Sequence, residues 1–365
     1  MLVVYNWFLW LLCFLIVKRY VTSRTYPCSY LLNNKVYGVF FVIVALFSFF
    51  TFFGGDIKND REMVEGGFRV AAYSDYFSIE KIYVFFAEYS FGILLLWKIY
   101  VYGSCILITM WTLKKMNRKD SLTLLFYTLL FLPSMGATRG VLAYSVFLLA
   151  TYLIVEGNTK EKFLGYPILI GTYLLHTSMV LPILLFFVSK IKLNRFIVIL
   201  LFFSVPIISV IINKAIMPYL ESNPVFMASQ MGFKYQQYIY NEDVEFASSF
   251  TSRVYNFVTY IYIAICLFYS VTAGWKKKLS KYSRRIVTIC FFLAYIGSIL
   301  SLCDFQNNDV IARRFFSMSL FLIFIAMPEL ILTRHISQLK TKILIIFGFL
   351  RVNWFFAMML WNEIS

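Results

Sequence analysis

The chain has 365 residues, 61% hydrophobic and only 14% charged, with a formal net charge of +16. Soluble domains run near ~45–50% apolar and ~25% charged, so a soluble fold of this size would leave large apolar areas in water. Composition therefore excludes an ordinary soluble enzyme. The apolar runs do not alternate in polarity, which excludes a transmembrane β-barrel.

A membrane-crossing helix needs about 20 apolar residues. The first run, residues 2–17, lacks the basic n-region and small-residue cleavage site of a signal peptide and reads as a retained span. The loop after it carries Lys18, Arg19, Arg24 and Lys35, which places it in the cytoplasm and the N-terminus outside. Further spans are expected at 37–53, 91–113, 196–212, 255–273, 286–302, 315–332 and 343–360. Two shorter runs, 121–135 and 140–155, are joined by residues 136–139. The run 163–189 is 27 residues long, too long for one comfortable span and too short for two, and His176-Thr177-Ser178 interrupts it. The loops flanking it, 156–162 and 190–195, are both basic. Both ends therefore belong in the cytoplasm, and two half-length or re-entrant helices are expected to meet near the outer side. The fold class is all-α: a single polytopic helix bundle over 1–365 with about twelve spans.

Alternation puts the loops 114–120, 156–162, 190–195, 274–285 and 334–342 inside with the first one. These six loops hold 22 Lys and Arg against 3 Asp and Glu. The outside segments hold 10 against 14, so the basic excess is explained by topology and does not point to nucleic acid. Two outer loops are long, 54–90 and 213–254, and both are rich in aromatic and acidic residues. The six cysteines are scattered and form no CxxC or Cys/His cluster, so neither a disulfide framework nor a metal site is expected.

Charge at the edge of a bilayer is costly and marks functional candidates. Arg139, Arg253, Arg313 and Arg314 all fall on the outer side, against the orientation rule. A guanidinium presents a planar fork that pairs with two phosphate oxygens, so four converging arginines would make a diphosphate site. His176, in the interrupted run, would serve as general base or as phosphate donor. The other histidine, His335, sits in a basic inner loop and is expected to be solvated. Loop carboxylates such as Asp56 are alternative bases. Lys98 and Arg351 lie inside apolar runs and are expected to pair with Glu329 or another buried acid.

Thr138-Arg139-Gly140-Val141-Leu142-Ala143 leads into an apolar span, a hydrophilic turn at 156–162, and a half-span ending in Leu175-His176-Thr177-Ser178. This order resembles the EpsG family of Wzy-type bacterial polysaccharide polymerases, with its arginine before a small-residue-led helix and its later His-x-Ser. Gly54-Gly55-Asp56, Ile79-Glu80-Lys81-Ile82-Tyr83 and Arg314 before Phe315-Phe316 also resemble family segments. The glutamine that often follows the family arginine is replaced by Gly140.

The resemblance covers about residues 50–335. It implies a GT-C-like glycosyltransferase that joins polyprenyl-diphosphate-linked oligosaccharides at the outer face of the bacterial cytoplasmic membrane. No metal or other cofactor is implied. With the outer arginines read above, the candidate site is Arg139, His176 and Asp56, with Arg139, Arg253, Arg313 and Arg314 on the diphosphate. Membrane lipids, a chain-length regulator and a flippase are the expected partners. A lipid-linked oligosaccharide flippase would instead distribute charge along an inner cavity. A membrane acyltransferase would place its histidine near the inner side.

Overall fold

The computed structural model describes residues 2–21, 32–51, 64–65, 81–133, 138–227, 250–276, 278–303 and 308–364. Every regular element among them is a helix. In chain order the main ones are α1 (Leu2–Arg19), α2 (Asn34–Phe49), α3 (Lys81–Glu88), α4 (Leu94–Lys115) and α5 (Ser121–Phe131). Then follow α6 (Thr138–Glu156), α7 (Thr159–Leu175), α8 (Thr177–Val188, opening on a 3-10 turn), α9 (Arg195–Ser222) and α10 (Phe250–Trp275). The last four are α11 (Lys281–Ser301), α12 (Asn308–Ile323), α13 (Met327–Leu332) and α14 (Gln338–Ile364). Among the described residues, six helices are long and apolar enough to cross a membrane and five shorter apolar ones accompany them, so this is a multi-pass membrane protein.

The helix starts follow from local capping. Asn33, Asp120, Asn194 and Ser280 each accept a hydrogen bond from a backbone N–H of the helix they precede. At α7 the cap is reciprocal: Asn158 accepts from the Glu161 N–H, and the Glu161 carboxylate accepts from the Asn158 N–H.

Polar contacts collect the basic loops at one end of the bundle. The Leu32 N–H donates to the Lys119 carbonyl at 3.0 Å, and the Tyr152 hydroxyl donates to the Lys115 carbonyl at 3.1 Å. Glu329 ties two further segments to its own there. Its carboxylate accepts from Arg118, from the Ser280 N–H (2.7 Å) and hydroxyl (2.8 Å), and from the Ser283 hydroxyl (2.7 Å).

Glu329 therefore pairs with Arg118, and the expected pairing of Lys98 or Arg351 with Glu329 is corrected. Lys98 Nζ donates to the Thr51 carbonyl just past the end of α2. Arg351 Nη2 donates to the Leu129 carbonyl at 2.7 Å, with its guanidinium over the Tyr262 ring. The physical reason lies in the backbone. The last carbonyls of a helix have no partner within it, and α5 widens into a π-turn at Tyr127–Phe131. In an apolar interior such carbonyls need a donor from elsewhere. Trp10 Nε1 meets the neighbouring Thr128 carbonyl at 2.9 Å, and Asn6 Nδ2 meets that of Phe50 at 2.9 Å.

Small residues set the helix separations, as is usual in membranes. A Cβ on Gly165 would fall 2.7 Å from Ile154 Cγ1 and 3.1 Å from the Ala150 carbonyl, so α7 packs on α6 only with glycine there. Gly297 plays the same part between α11 and α12, where a Cβ would fall 3.2 Å from the Ala312 carbonyl. Hydroxyls lace α4 to α6: Thr109 Oγ1 donates to Ser145 Oγ at 3.0 Å, and Cys105 Sγ lies 3.1 Å from the same oxygen.

Candidate functional site

The long apolar run breaks where His176-Thr177-Ser178 stands. α7 ends at Leu175, His176 is extended, and a 3-10 turn at Thr177–Met179 opens α8. Pro182 supplies a sequence reason. It has no N–H to give to the Ser178 carbonyl, so a continuous helix through this point would lose a bond in an apolar setting.

The His176 side chain caps the new helix turn. Its Nδ1 accepts the backbone N–H of Ser178 at 3.2 Å and lies 2.6 Å from Ser178 Oγ. Ser178 in turn stands beside the hydroxyl of Tyr144 on α6. That hydroxyl is buried and makes no hydrogen bond of good geometry, only a weak one to Ser178, and the Tyr144 ring stacks on Phe321 of α12 at 4.8 Å.

Tyr144 therefore marks a common level for several expected site residues. Arg139 precedes it by five residues on α6, about 7.5 Å of helix rise. Arg314 precedes Phe321 by seven residues on α12, about 10.5 Å. α6 and α12 start at the same end, so the two arginine positions differ in height by only about 3 Å. α12 also meets α10 through Phe316 and Tyr260, whose rings lie 4.4 Å apart. Arg253 sits on the first turn of α10, seven residues before Tyr260.

The structure thus starts α6, α10 and α12 at one end of the bundle, with an arginine in the first or second turn of each. His176 lies beside α6 at the same end. Helix N-termini carry partial positive charge and unpaired N–H groups, so arginines and helix starts favour an anion jointly. Arg314 is exposed. The side chains of Arg139, Arg253 and Arg313 lie outside the described residues, as do Asp56 and most of the loops 54–90 and 213–254. Among the described residues, no three His, Cys, Asp or Glu side chains gather as metal ligands would.

His335, at the opposite end, is half-buried, with Nε2 3.0 Å from Thr272 Oγ1. Burial lowers its pKa from the ordinary 6.5, and Lys276, Lys278 and Lys340 lower it further. Sequence reasoning missed Tyr144 and took Ser178 only as part of a break and of the His-x-Ser resemblance. A tyrosine in an apolar run looks like packing, and nothing in its spacing shows that its hydroxyl stands against Ser178.

The model of one protein family, described as the EpsG family, matches residues 36–363, nearly the whole chain. No curated protein and no solved structure matches.

Proposed function

The chain belongs to the EpsG family, whose members are tied to polysaccharide biosynthesis in membranes, and from that premise we propose that it is a polysaccharide polymerase. It joins polyprenyl-diphosphate-linked oligosaccharide units at the outer face of the cytoplasmic membrane, with its N-terminus outside. The carrying observation is the cluster around Tyr144: arginine-bearing starts of α6 and α12 beside the His176–Ser178 turn, opposite the end that gathers the basic loops.

In the reaction, an acceptor sugar hydroxyl attacks the anomeric carbon of the donor glycan. The bond from that carbon to the phosphate oxygen breaks, and its electron pair leaves on the polyprenyl diphosphate. The acceptor proton passes to a base and finally to the departing diphosphate. Asp56 or another loop carboxylate suits the base, and His176 is the alternative. Arg139, Arg253, Arg313 and Arg314 hold the diphosphate and stabilise the charge that grows on it. Both substrates carry lipid tails, so the membrane confines them near the site and the reaction gains from proximity.

The test is polymerisation of purified lipid-linked repeat units in liposomes. Arg139→Ala should abolish polymer while single units remain. Arg139→Lys should recover only part, because a point charge cannot form the two-pronged contact. Normal polymer length in Arg139→Ala at normal protein levels would remove the arginine from the site. Transport of single units across the bilayer without any joining would favour a flippase.

A further inference from the structure

We infer that Arg195, Trp275 and Arg284 form a site for the phosphate headgroup of an anionic phospholipid. The three stand at the start of α9, the end of α10 and the first turn of α11. This is the end that gathers the basic loops, away from His176. The site does not depend on the polymerase reading.

Packing brings the three residues together. The Arg195 guanidinium lies over the Trp275 ring, 5.5 Å from its centre. The Arg284 stem runs beside Gly274, the residue before Trp275, where a Cβ would fall 4.0 Å from Arg284 Cγ. The helix contacts agree. Ser204 meets Tyr295 and Ser209 meets the Ile299 carbonyl, so α9 and α11 run parallel. Arg195 precedes Ser204 by nine residues and Arg284 precedes Tyr295 by eleven, so their heights differ by only about 3 Å.

The cluster has no counter-charge. Among the described residues no carboxylate pairs with Arg195 or Arg284. Glu329, which accepts from Ser283 next to Arg284, is already held by Arg118, Ser280 and Ser283. The Arg284 Nε–H and the Trp275 indole N–H are both buried without a hydrogen-bond partner. Unmet buried donors are costly. Arg195 is exposed, so its side chain can lift from the indole and open a way to them. A phosphate entering there meets two guanidinium groups and an indole N–H, and guanidinium suits phosphate oxygens.

The surroundings select a lipid over a free anion. Phe196, Ile199, Leu200 and Phe203 are exposed along α9 just beyond Arg195, as is Phe268 two turns before Trp275. Acyl chains can lie along this apolar face while the headgroup stays at the helix ends. Tryptophan favours the headgroup level of a bilayer, and basic pockets between spanning helices hold anionic headgroups. Such a lipid would also tie the start of α9 to α10 and α11.

The test titrates the full-length protein in detergent with phosphatidylglycerol or phosphatidylcholine and reads bound lipid by native mass spectrometry. One phosphatidylglycerol should bind more tightly than any phosphatidylcholine. Arg195→Gln/Arg284→Gln should weaken it by about 10- to 100-fold, the worth of hydrogen bonds to a charged group. Arg195→Gln alone, at an exposed position, should weaken it about 10-fold and keeps the test alive if the double variant does not fold. Trp275→Phe keeps a ring under the guanidinium but loses the N–H, and should weaken binding by about 3- to 10-fold. Lys276→Gln/Lys278→Gln removes the same charge from exposed positions at the same end and should leave this lipid bound as in wild type.

Equal loss in the lysine pair and the arginine pair would show only bulk surface charge and overturn the site. Equal binding of phosphatidylcholine would do the same. Displacement of the lipid by glycerol phosphate at matching concentration would overturn the lipid assignment in favour of a free anion.

Discussion

Substituting Glu329 by glutamine keeps the shape of the side chain and removes its charge. One carboxylate oxygen accepts from Arg118, Ser280 Oγ and Ser283 Oγ, and the other from the Ser280 N–H. A glutamine that keeps its carbonyl on the three-donor side must turn its amide NH2 toward the Ser280 N–H, donor against donor. That bond is lost outright, about 2 kcal/mol for a bond to a charged acceptor. The remaining three become bonds to a neutral oxygen, each weaker by roughly 0.5–1 kcal/mol. Both partners of the ion pair keep some contact with solvent, at 19% and 10% side-chain exposure, which discounts the Arg118 share. The expected destabilisation is about 3 kcal/mol. It is measurable by SDS titration of the protein in bicelles.

Arg118→Met alone should also destabilise, because it strands a buried carboxylate. The double variant Arg118→Met/Glu329→Gln should lose at least about 1 kcal/mol less than the sum of the singles, the signature of directly coupled groups. A Glu329→Gln protein within about 0.5 kcal/mol of wild type, or strict additivity, would refute the view that this carboxylate clasps three segments.

Tyr144→Phe should melt close to the wild-type temperature, since the buried hydroxyl it deletes makes no hydrogen bond of good geometry, yet it should slow polymerisation. A clear drop in melting temperature would show that the hydroxyl's bond to Ser178 is a strong one. Gly165→Ala should cost about 1–3 kcal/mol by overpacking the α6–α7 contact; thermal unfolding in detergent reads it, and an unchanged midpoint counts against close helix approach. The folded chain holds the His335 pKa below its ordinary 6.5, so the unfolded chain binds that proton more tightly. Its contribution to stability is whole above about pH 6.5 and falls as the pH drops below that value. Melting temperatures across this range should fall less in His335→Asn than in wild type, and parallel curves would contradict the shift.

Hydropathy made the helical, membrane-spanning architecture legible, because a bilayer demands long apolar runs and allows few alternatives. The break at His176 was legible too, from a run of the wrong length with a polar triplet inside it. The partners of Lys98 and Arg351 were not. Both reach backbone carbonyls beyond a helix end or in a π-turn, and a residue string does not show where a helix will widen. The candidate arginines could be named because they break the charge rule, whereas Tyr144 breaks no rule until its surroundings are known. Arg118 and Glu329 lie 211 residues apart, a pairing that only the packing of α5, α11 and α13 creates.

The helix α9 is fastened differently from its neighbours. Within Arg195–Ile211 only Ser209 is buried. Its polar contacts to α11 are the Ser209 hydroxyl on the Ile299 carbonyl at 3.0 Å and Ser204 Oγ against Tyr295 Oη at 2.6 Å. Lipid tails accept leucine, isoleucine, valine and phenylalanine with almost equal ease, so selection has little to grip along most of this span. Among relatives, α9 should drift freely in letter while holding steady in hydropathy. The positions of Ser204 and Ser209 should stand out against that drift as two fixed rivets in an otherwise interchangeable plank.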